Sequence, residues 1–287
     1  MAGVRPLPMI VAVGLDLAVQ IVNYRTREDL ATCLDAVLGD LRRTPLHARV
    51  LVLDNASGDD LSDLASAHAG DPVDFDTAAR NDGFGAGHNL LAARHDAPAL
   101  LVLNPDAVVT PGTVAGLYAC LCEPGVAAAG PKLVGEDGAP HVWDHGELRG
   151  PRARLATAAG DSHPRLREER TDVAWVSGAC AAIARPWFDL VGGFDPGFFL
   201  YKEEEDLFLR MRRLGARVVY EPELRVVHRG SVTGARVQHL AASVRRYRER
   251  HVRTRIGRTV LPRVHRSVVA WDGRLRRARA LVRGPAR

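Results

Sequence analysis

Four consecutive acids, Glu203, Glu204, Glu205 and Asp206, follow an aromatic stretch that contains Phe198, Phe199 and Tyr201. Leu207, Met211 and Leu214 come after them at helical spacing and predict the buried face of a helix ending at Gly215, so all four acids fall in its first turn. Acids there complement the helix dipole, but four in a row also repel one another. A carboxylate crowded by like charges and aromatic rings has a raised pKa, which suits a general base. Farther on, after the strand-like residues 224–227, comes His228-Arg229-Gly230-Ser231. An imidazole beside a guanidinium, a glycine and a hydroxyl suits a phosphate-and-metal site. Asp106, in Asn104-Pro105-Asp106, offers the hard oxygen ligand that phosphate-bridging divalent cations prefer.

These groups need a frame, and the first half of the chain supplies one. Apolar strands are predicted at residues 17–22, 48–53, 73–75 and 99–103, with helices between them. Thr26-Arg27-Glu28-Asp29 has capping-box spacing ahead of Leu30, Leu34, Val37, Leu38 and Leu41. A second helix is expected around residues 61–69, and a third beginning near His88. Strict β-α alternation implies a Rossmann-like α/β body with a mostly parallel sheet flanked by helices. Ligands of such sheets sit beyond the carboxyl ends of the strands. Asn23, Asp54-Asn55, Asn81 and Asn104-Asp106 all follow strand ends. Each alone reads as a turn, but four placed alike indicate one shared site. From Pro131 to Asp172 the pattern dissolves into a long connecting region that includes His141, Trp143, Asp144 and His145.

The 287 residues are 46% hydrophobic and 25% charged, which fits a globular domain and excludes fibrous and fully disordered classes. No apolar run approaches the ~20 residues of a membrane span, and no convincing cleavage site follows Met9–Leu15. The expected location is cytoplasmic. Cys33, Cys120, Cys122 and Cys180 lack paired spacing and read as buried, reduced thiols. Charge is divided unevenly. Residues 241–287 hold 15 arginines, no lysine and two acids, a net +13, which leaves −8 for the first 240 residues. A polycationic tail suggests a polyanionic partner, either nucleic acid or an anionic membrane face, or else a solvated helical surface. Tyr247 and Trp271 are its only aromatics, and it has no nucleic-acid motif. Val244, Tyr247, His251, Val264, Val268 and Trp271 instead suggest basic amphipathic helices lying on an inner leaflet.

The ordered set Ile21-Val-Asn-Tyr24, Asp54-Asn55-x-Ser57, Asn81-x-Gly83-Phe84, Leu103-Asn-Pro-Asp106, Ser177-Gly178, Gly192-Gly-Phe-Asp195, Phe198-Phe-x-Tyr-x-Glu-Glu-x-Asp-Leu207 and His228-x-Gly-x resembles the family-2 inverting glycosyltransferases. The resemblance is greatest to bacterial rhamnosyl- and galactofuranosyltransferase-like members and spans about residues 16–233. It implies a GT-A domain at residues 1–235, with a flexible 1–14, an acceptor-side 131–172 and an Arg-rich helical extension at 236–287. It implies a nucleotide-diphosphate sugar donor, a dTDP- or UDP-sugar such as dTDP-rhamnose. The acceptor is a hydroxyl in polysaccharide, cell-wall or glycoside synthesis, including a polyprenyl-linked glycan. Asn23, Asp54, Asn55, Asn81, Gly83, Phe84, Asn104, Asp106, Arg229 and Ser231 would bind the donor. Asp106 and His228 would hold Mg²⁺ or Mn²⁺ on its diphosphate. Glu204 would be the base, with Glu203 as rival, and Ser177, Gly178, Asp206 and Trp143 would face the acceptor. Asn104 replaces the family's first Asp, leaving one carboxylate there for the metal. A peripheral membrane contact is implied, no nucleic acid, and a homodimer is left open.

Two other readings use the same residues. A nucleotidyltransferase would need a glycine-rich triphosphate loop after the first strand, and Asn23-Tyr-Arg-Thr26 has no glycine. Gly83-Phe-Gly-Ala-Gly87 is no dinucleotide fingerprint. A non-catalytic nucleotide-sugar or membrane-binding protein would release no nucleoside diphosphate from a sugar nucleotide.

Overall fold

In the computed structural model, residues 14–230 and 236–270 are described. Strands and helices alternate through β1 (Leu17–Asn23), α1 (Arg27–Leu41), β2 (Ala48–Asp54), α2 (Ser62–Ala67), β3 (Val73–Thr77), α3 (Phe84–Ala92) and β4 (Ala99–Leu103). All seven residues of β1 and all five of β4 are buried, as strands covered on both faces must be. The second half runs β5 (Ala107–Val109), α4 (Thr113–Leu121), β6 (Val126–Val134), β7 (His145–Gly146), α5 (Pro151–Ala159), β8 (Thr171–Asp172), β9 (Trp175–Val176), β10 (Cys180–Ala184) and α6 (Arg185–Leu190). It closes with α7 (Glu203–Arg213), β11 (Arg217–His228), α8 (Arg236–His251) and α9 (Arg255–Thr259). A further helical stretch covers residues 261–270.

One nine-stranded sheet has the order β3-β2-β1-β4-β10-β6-β11-β5, with β8 on β11. The strands β3, β2, β1 and β4 are parallel, whereas β10 runs antiparallel to both β4 and β6. This reversal places the turn before β10 next to the end of β4, where Asn104 N donates to Ala179 O at 2.9 Å. Helices α1 and α4 cover one face of the sheet, and α6 and α7 the other.

Several local expectations change. Thr26 does sit at the α1 N-cap, but its hydroxyl donates to Asn23 Oδ1 at 2.8 Å instead of capping the helix. The third helix starts at Phe84, four residues before His88. The 131–172 region is less irregular than its composition suggests: it contains α5 and continues β6 to Val134. Asp144 and His145 are buried there, and Tyr220 Oη donates to Asp144 Oδ2 at 2.8 Å. Leu214 is 47% exposed, and Phe208 and Leu209 join Leu207 and Met211 on the buried side of α7. Three thiols are buried, and burial pushes those of Cys33 and Cys180 upward; Cys122 is exposed.

The basic extension docks on the body. Tyr247 of α8 packs with Phe198 and Leu209, and Ser243 Oγ donates to Leu200 O at 2.8 Å. Arg246 pairs with Asp195 at 2.8 Å, and Arg248 pairs with Asp161. The Tyr247 face is therefore closed to a membrane, contrary to expectation. Trp271 and the sequence before Gly14 lie outside the described residues. Replacing Tyr247 with Ala should cost about 3 kcal/mol and lower the melting temperature by several degrees, measured by thermal unfolding. An unchanged midpoint would mean that α8 contributes nothing to the body.

Candidate active site

The polar residues at the carboxyl ends of the strands form one cluster. Parallel register pairs Asn23 with Asp54, so the last residues of β1 and β2 are neighbours. Asn23 Nδ2 donates to Asp54 Oδ1 and Asp59 Oδ2, both at 3.0 Å, while Ser57 N donates to Asp54 Oδ2 at 3.1 Å. Asn55 Nδ2 donates to Asn81 Oδ1 at 2.9 Å, and the same oxygen accepts from Gly83 N at 2.9 Å. These buried amides and carboxylates satisfy one another, which fixes three loops at one sheet edge. Gly83 then turns the chain with φ +97°, and a Cβ there would come within 2.3 Å of Phe199 O. Phe84 N donates to that carbonyl at 2.9 Å, tying the donor loops to the segment that leads into α7.

Antiparallel pairing of β5 with β11 sets His228 opposite Ala107, beside Asp106. His228 Nε2 lies 3.3 Å from Asp106 Oδ1 and 3.4 Å from Asn104 Nδ2. One carboxylate oxygen and one imidazole nitrogen converging in this way fit a hard divalent cation. No group of three or more His, Cys, Asp or Glu among the described residues is placed to hold a metal. His141 packs edge-on to the His228 ring at 5.6 Å. Arg229 Nη1 pairs with Asp29 and Nε with Glu136, each at 2.7 Å.

On α7 the four acids are divided by their surroundings. Tyr201 and Lys202 both have positive φ, 72° and 71°, a conformation that costs side-chain-bearing residues about 1–3 kcal/mol each. That turn brings Lys202 Nζ to 2.9 Å from Glu205 Oε2 and 2.6 Å from Ser162 Oγ, whose hydroxyl donates to Glu205 Oε1. Asp206, fully buried, accepts from Arg210 Nε at 2.7 Å and meets His251 at 2.6 Å and Arg250 at 3.1 Å. Glu203 and Glu204 have no such cation, and the Oε2 of each is buried without a hydrogen-bond partner among the described residues. Burial and the neighbouring Glu204 hold Glu203 well above the usual carboxylate range. Glu204 is pushed up to about 7 by burial and then by Glu205. Glu203 is only 3% exposed, whereas Glu204 is half-buried as a residue while its Oε2 is enclosed.

Residues 18–192 match the family described as Glycosyl transferase family 2. The chain belongs to that family. It is 31% identical over 157 residues to the N-acetylglucosaminyl-diphospho-decaprenol L-rhamnosyltransferase of Mycobacterium tuberculosis H37Rv, covering 50% of this chain and 51% of the relative. It is 26% identical over 205 residues to the low-salt glycan biosynthesis hexosyltransferase Agl10 of Haloferax volcanii, covering 69% of this chain and 62% of the relative. The chain thus spans about half the length of the first of these relatives. The crystal structure of GalNAc-T7 with UDP, GalNAc and Mn²⁺ superposes with TM-score 0.62 at 19% identity, over 83% of this chain and 48% of that one. The mannosyltransferase PcManGT from Pyrobaculum calidifontis, in complex with GDP-Man and Mn²⁺, gives 0.57 at 17% identity, over 90% and 70%. The shared fold is the GT-A one.

This family-2 chain gathers Asn23, Asp54, Asn55, Asn81, Gly83 and Phe84 along one sheet edge, and brings Asn104, Asp106 and His228 together beside them. Ser177 and Gly178 form the turn before β10, where a Cβ on Gly178 would lie 3.2 Å from the Phe84 ring. Trp143 is 59% exposed and stacks on Trp175 at 6.4 Å. Ser231 lies outside the described residues. Asp206 does not face an acceptor, because Arg210, Arg250 and His251 enclose it between α7 and α8. Sequence reading missed Asp59, Lys202 and Ser162. Asp59 lies two residues past the Asp54-Asn55-x-Ser57 motif, whereas Lys202 and Ser162 meet only through tertiary packing. The matched segment ends before α7, so the roles of Glu203, Glu204 and His228 are argued from their geometry.

A glutamate whose folded pKa is raised above its ordinary 4.5 stabilises the fold relatively below that value and loses the contribution as pH climbs toward the folded pKa. Glu203→Gln removes this penalty. The variant's melting temperature should gain on the parent as pH rises from about 4.5 to 8. A constant difference across that range would contradict the raised pKa.

Proposed function

We propose that the protein is an inverting glycosyltransferase that moves a sugar from a nucleoside-diphosphate donor to an acceptor hydroxyl, with Glu204 as general base. The observation that carries this reading is the convergence of three things: the polar strand ends, the Asp106–His228 pair and an unpaired, half-buried Glu204 on the adjoining helix. Mg²⁺ or Mn²⁺, held by Asp106 and His228, would offset the negative charge on the departing diphosphate. Asn23, Asp54 and Asn81 would cradle the nucleoside. The donor is taken as a dTDP- or UDP-linked sugar; rhamnose as the sugar, and a polyprenyl-diphosphate-linked acceptor, are supported by the mycobacterial relative's name.

The chain's own residues account for the proton. An acceptor hydroxyl is a poor nucleophile until its proton leaves. Glu204, with a pKa pushed up to about 7, holds a proton more readily than an ordinary carboxylate and still exists largely ionised just above neutrality. It would take the hydroxyl proton as oxygen attacks the anomeric carbon opposite the diphosphate. The bond to the acceptor oxygen forms as the bond to diphosphate breaks, and the configuration inverts. Glu203, also held well above the usual carboxylate range by burial and by Glu204, would support it from behind by not adding a full second charge. Asn104 contributes an amide where a second carboxylate would add charge, so metal and diphosphate would bind together.

Glu204→Gln should reduce transfer by roughly 10²–10⁴-fold while nucleotide affinity stays near that of the parent, measured by initial rates and calorimetry. Retained transfer in that variant, with loss in Glu203→Gln, would move the base to Glu203. His228→Ala and Asp106→Asn should each weaken metal-dependent donor binding by about 10- to 100-fold, equivalent to ~1.5–3 kcal/mol for a charge-assisted contact. Equal donor affinity with and without EDTA would remove both from a metal site.

A further inference from the structure

The segment after α8 has two unlike faces. On the inner one, Val252, Gly257, Pro262 and His265 are buried, and His265 Nδ1 lies 3.2 Å from Asp161. A Cβ on Gly257 would meet Ala158 O at 3.1 Å, so this face sits tightly against α5. The outer face carries Ile256, Val260 and Val264 at successive four-residue steps, 64%, 47% and 43% exposed. Val260 N donates to Ile256 O at 2.9 Å and Val264 N to Val260 O at 3.1 Å, so helical bonding passes through the junction between α9 and residues 261–270 and aligns the three as one stripe. Arg255, Arg263 and Arg266 are exposed along it. From His251 to Ala270 the sequence has five arginines and no acid.

Packing explains the inner face and leaves the outer one without a structural purpose. A row of three branched apolar side chains bordered by arginines is costly to leave in water and matches an interface that is apolar below and negative above. We propose that this stripe seats the protein on an anionic lipid surface, Ile256, Val260 and Val264 entering the headgroup boundary while Arg255, Arg263 and Arg266 meet lipid phosphates. The occupant is a bilayer rather than nucleic acid: the apolar row has no aromatic ring on which bases could stack, and phosphate alone gives no reason for it. A second copy of the chain would bring these arginines against each other. The stripe differs from the surface expected from sequence, since Tyr247 is buried against Phe198 and the exposed apolar row lies beyond Val252.

The test is co-sedimentation of the full chain with phosphatidylglycerol–phosphatidylethanolamine vesicles, in parallel with phosphatidylcholine vesicles and a duplex oligonucleotide. The parent should bind anionic vesicles, and raising salt from about 0.1 to 0.5 M should weaken that binding. The triple variants I256S/V260S/V264S and R255Q/R263Q/R266Q should each lose at least about tenfold in vesicle affinity with melting temperatures like the parent's. If either variant misfolds, the lipid and salt dependence of the parent decides the matter. Equal binding to neutral vesicles, unchanged affinity in a folded variant, or binding to the duplex and not to vesicles would overturn the proposal. Nucleotide-sugar turnover without vesicles is measured separately, so failure here leaves the catalytic reading untouched.

Discussion

Four adjacent carboxylates cannot all remain charged in one helical turn, and the site depends on how the fold separates them. An unpaired charge taken from water costs several kcal/mol, so each acid must find a cation, stay near solvent or hold its proton. Lys202 neutralises Glu205, while Arg210 and Arg250 neutralise Asp206, which also hydrogen-bonds His251. Glu203, enclosed with no cation among the described residues, is held well above the usual carboxylate range by burial and by Glu204. Glu204 is the remaining case, partly open, with an affinity for protons near neutrality. That division is why Glu204 is the carboxylate proposed to take the acceptor's proton.

Maintaining that division requires elements far apart in the chain. Consecutive left-handed residues at Tyr201 and Lys202 are tolerable because Lys202 is held by Glu205, Ser162 and the Tyr247 ring, 5.1 Å away. Helix α8 reaches both sides of the turn, through Asp195 and through Asp206. The missing side chain of Gly83 lets Phe84 N bond Phe199 O, so the strand-end loops and the segment leading into α7 share one contact. Arg246 and Arg250 of α8 thus help hold the turn before α7 and Asp206, while the apolar stripe lies beyond them.

Much of this was legible in the sequence. Fully apolar strands such as 99–103 announce a parallel sheet, and Asn or Asp after each strand announces a shared edge, because period and turn chemistry are local properties. The motif order indicated the family and the place of Asp106, Glu204 and His228. What stayed hidden were partners distant in sequence. Thr26 looked like a cap and serves Asn23; Asp206 looked like an acceptor-side acid and is a structural anchor. Glu203 and Glu204 are indistinguishable as letters, and only burial separates them. Tyr247 had the spacing of a membrane-facing residue because amphipathic periodicity does not say what covers the apolar side.

The division of the acids is most directly tested by the pH dependence of nucleotide-sugar turnover per unit enzyme, followed between about pH 5 and 9 with metal and acceptor saturating. The rate should fall on the acid side with a single ionisation near the value of about 7 held by Glu204, as its carboxylate takes up a proton. A rate that stays level down to about pH 5 would mean that the base is an ordinary carboxylate, and that the surroundings of α7 do not set its proton affinity.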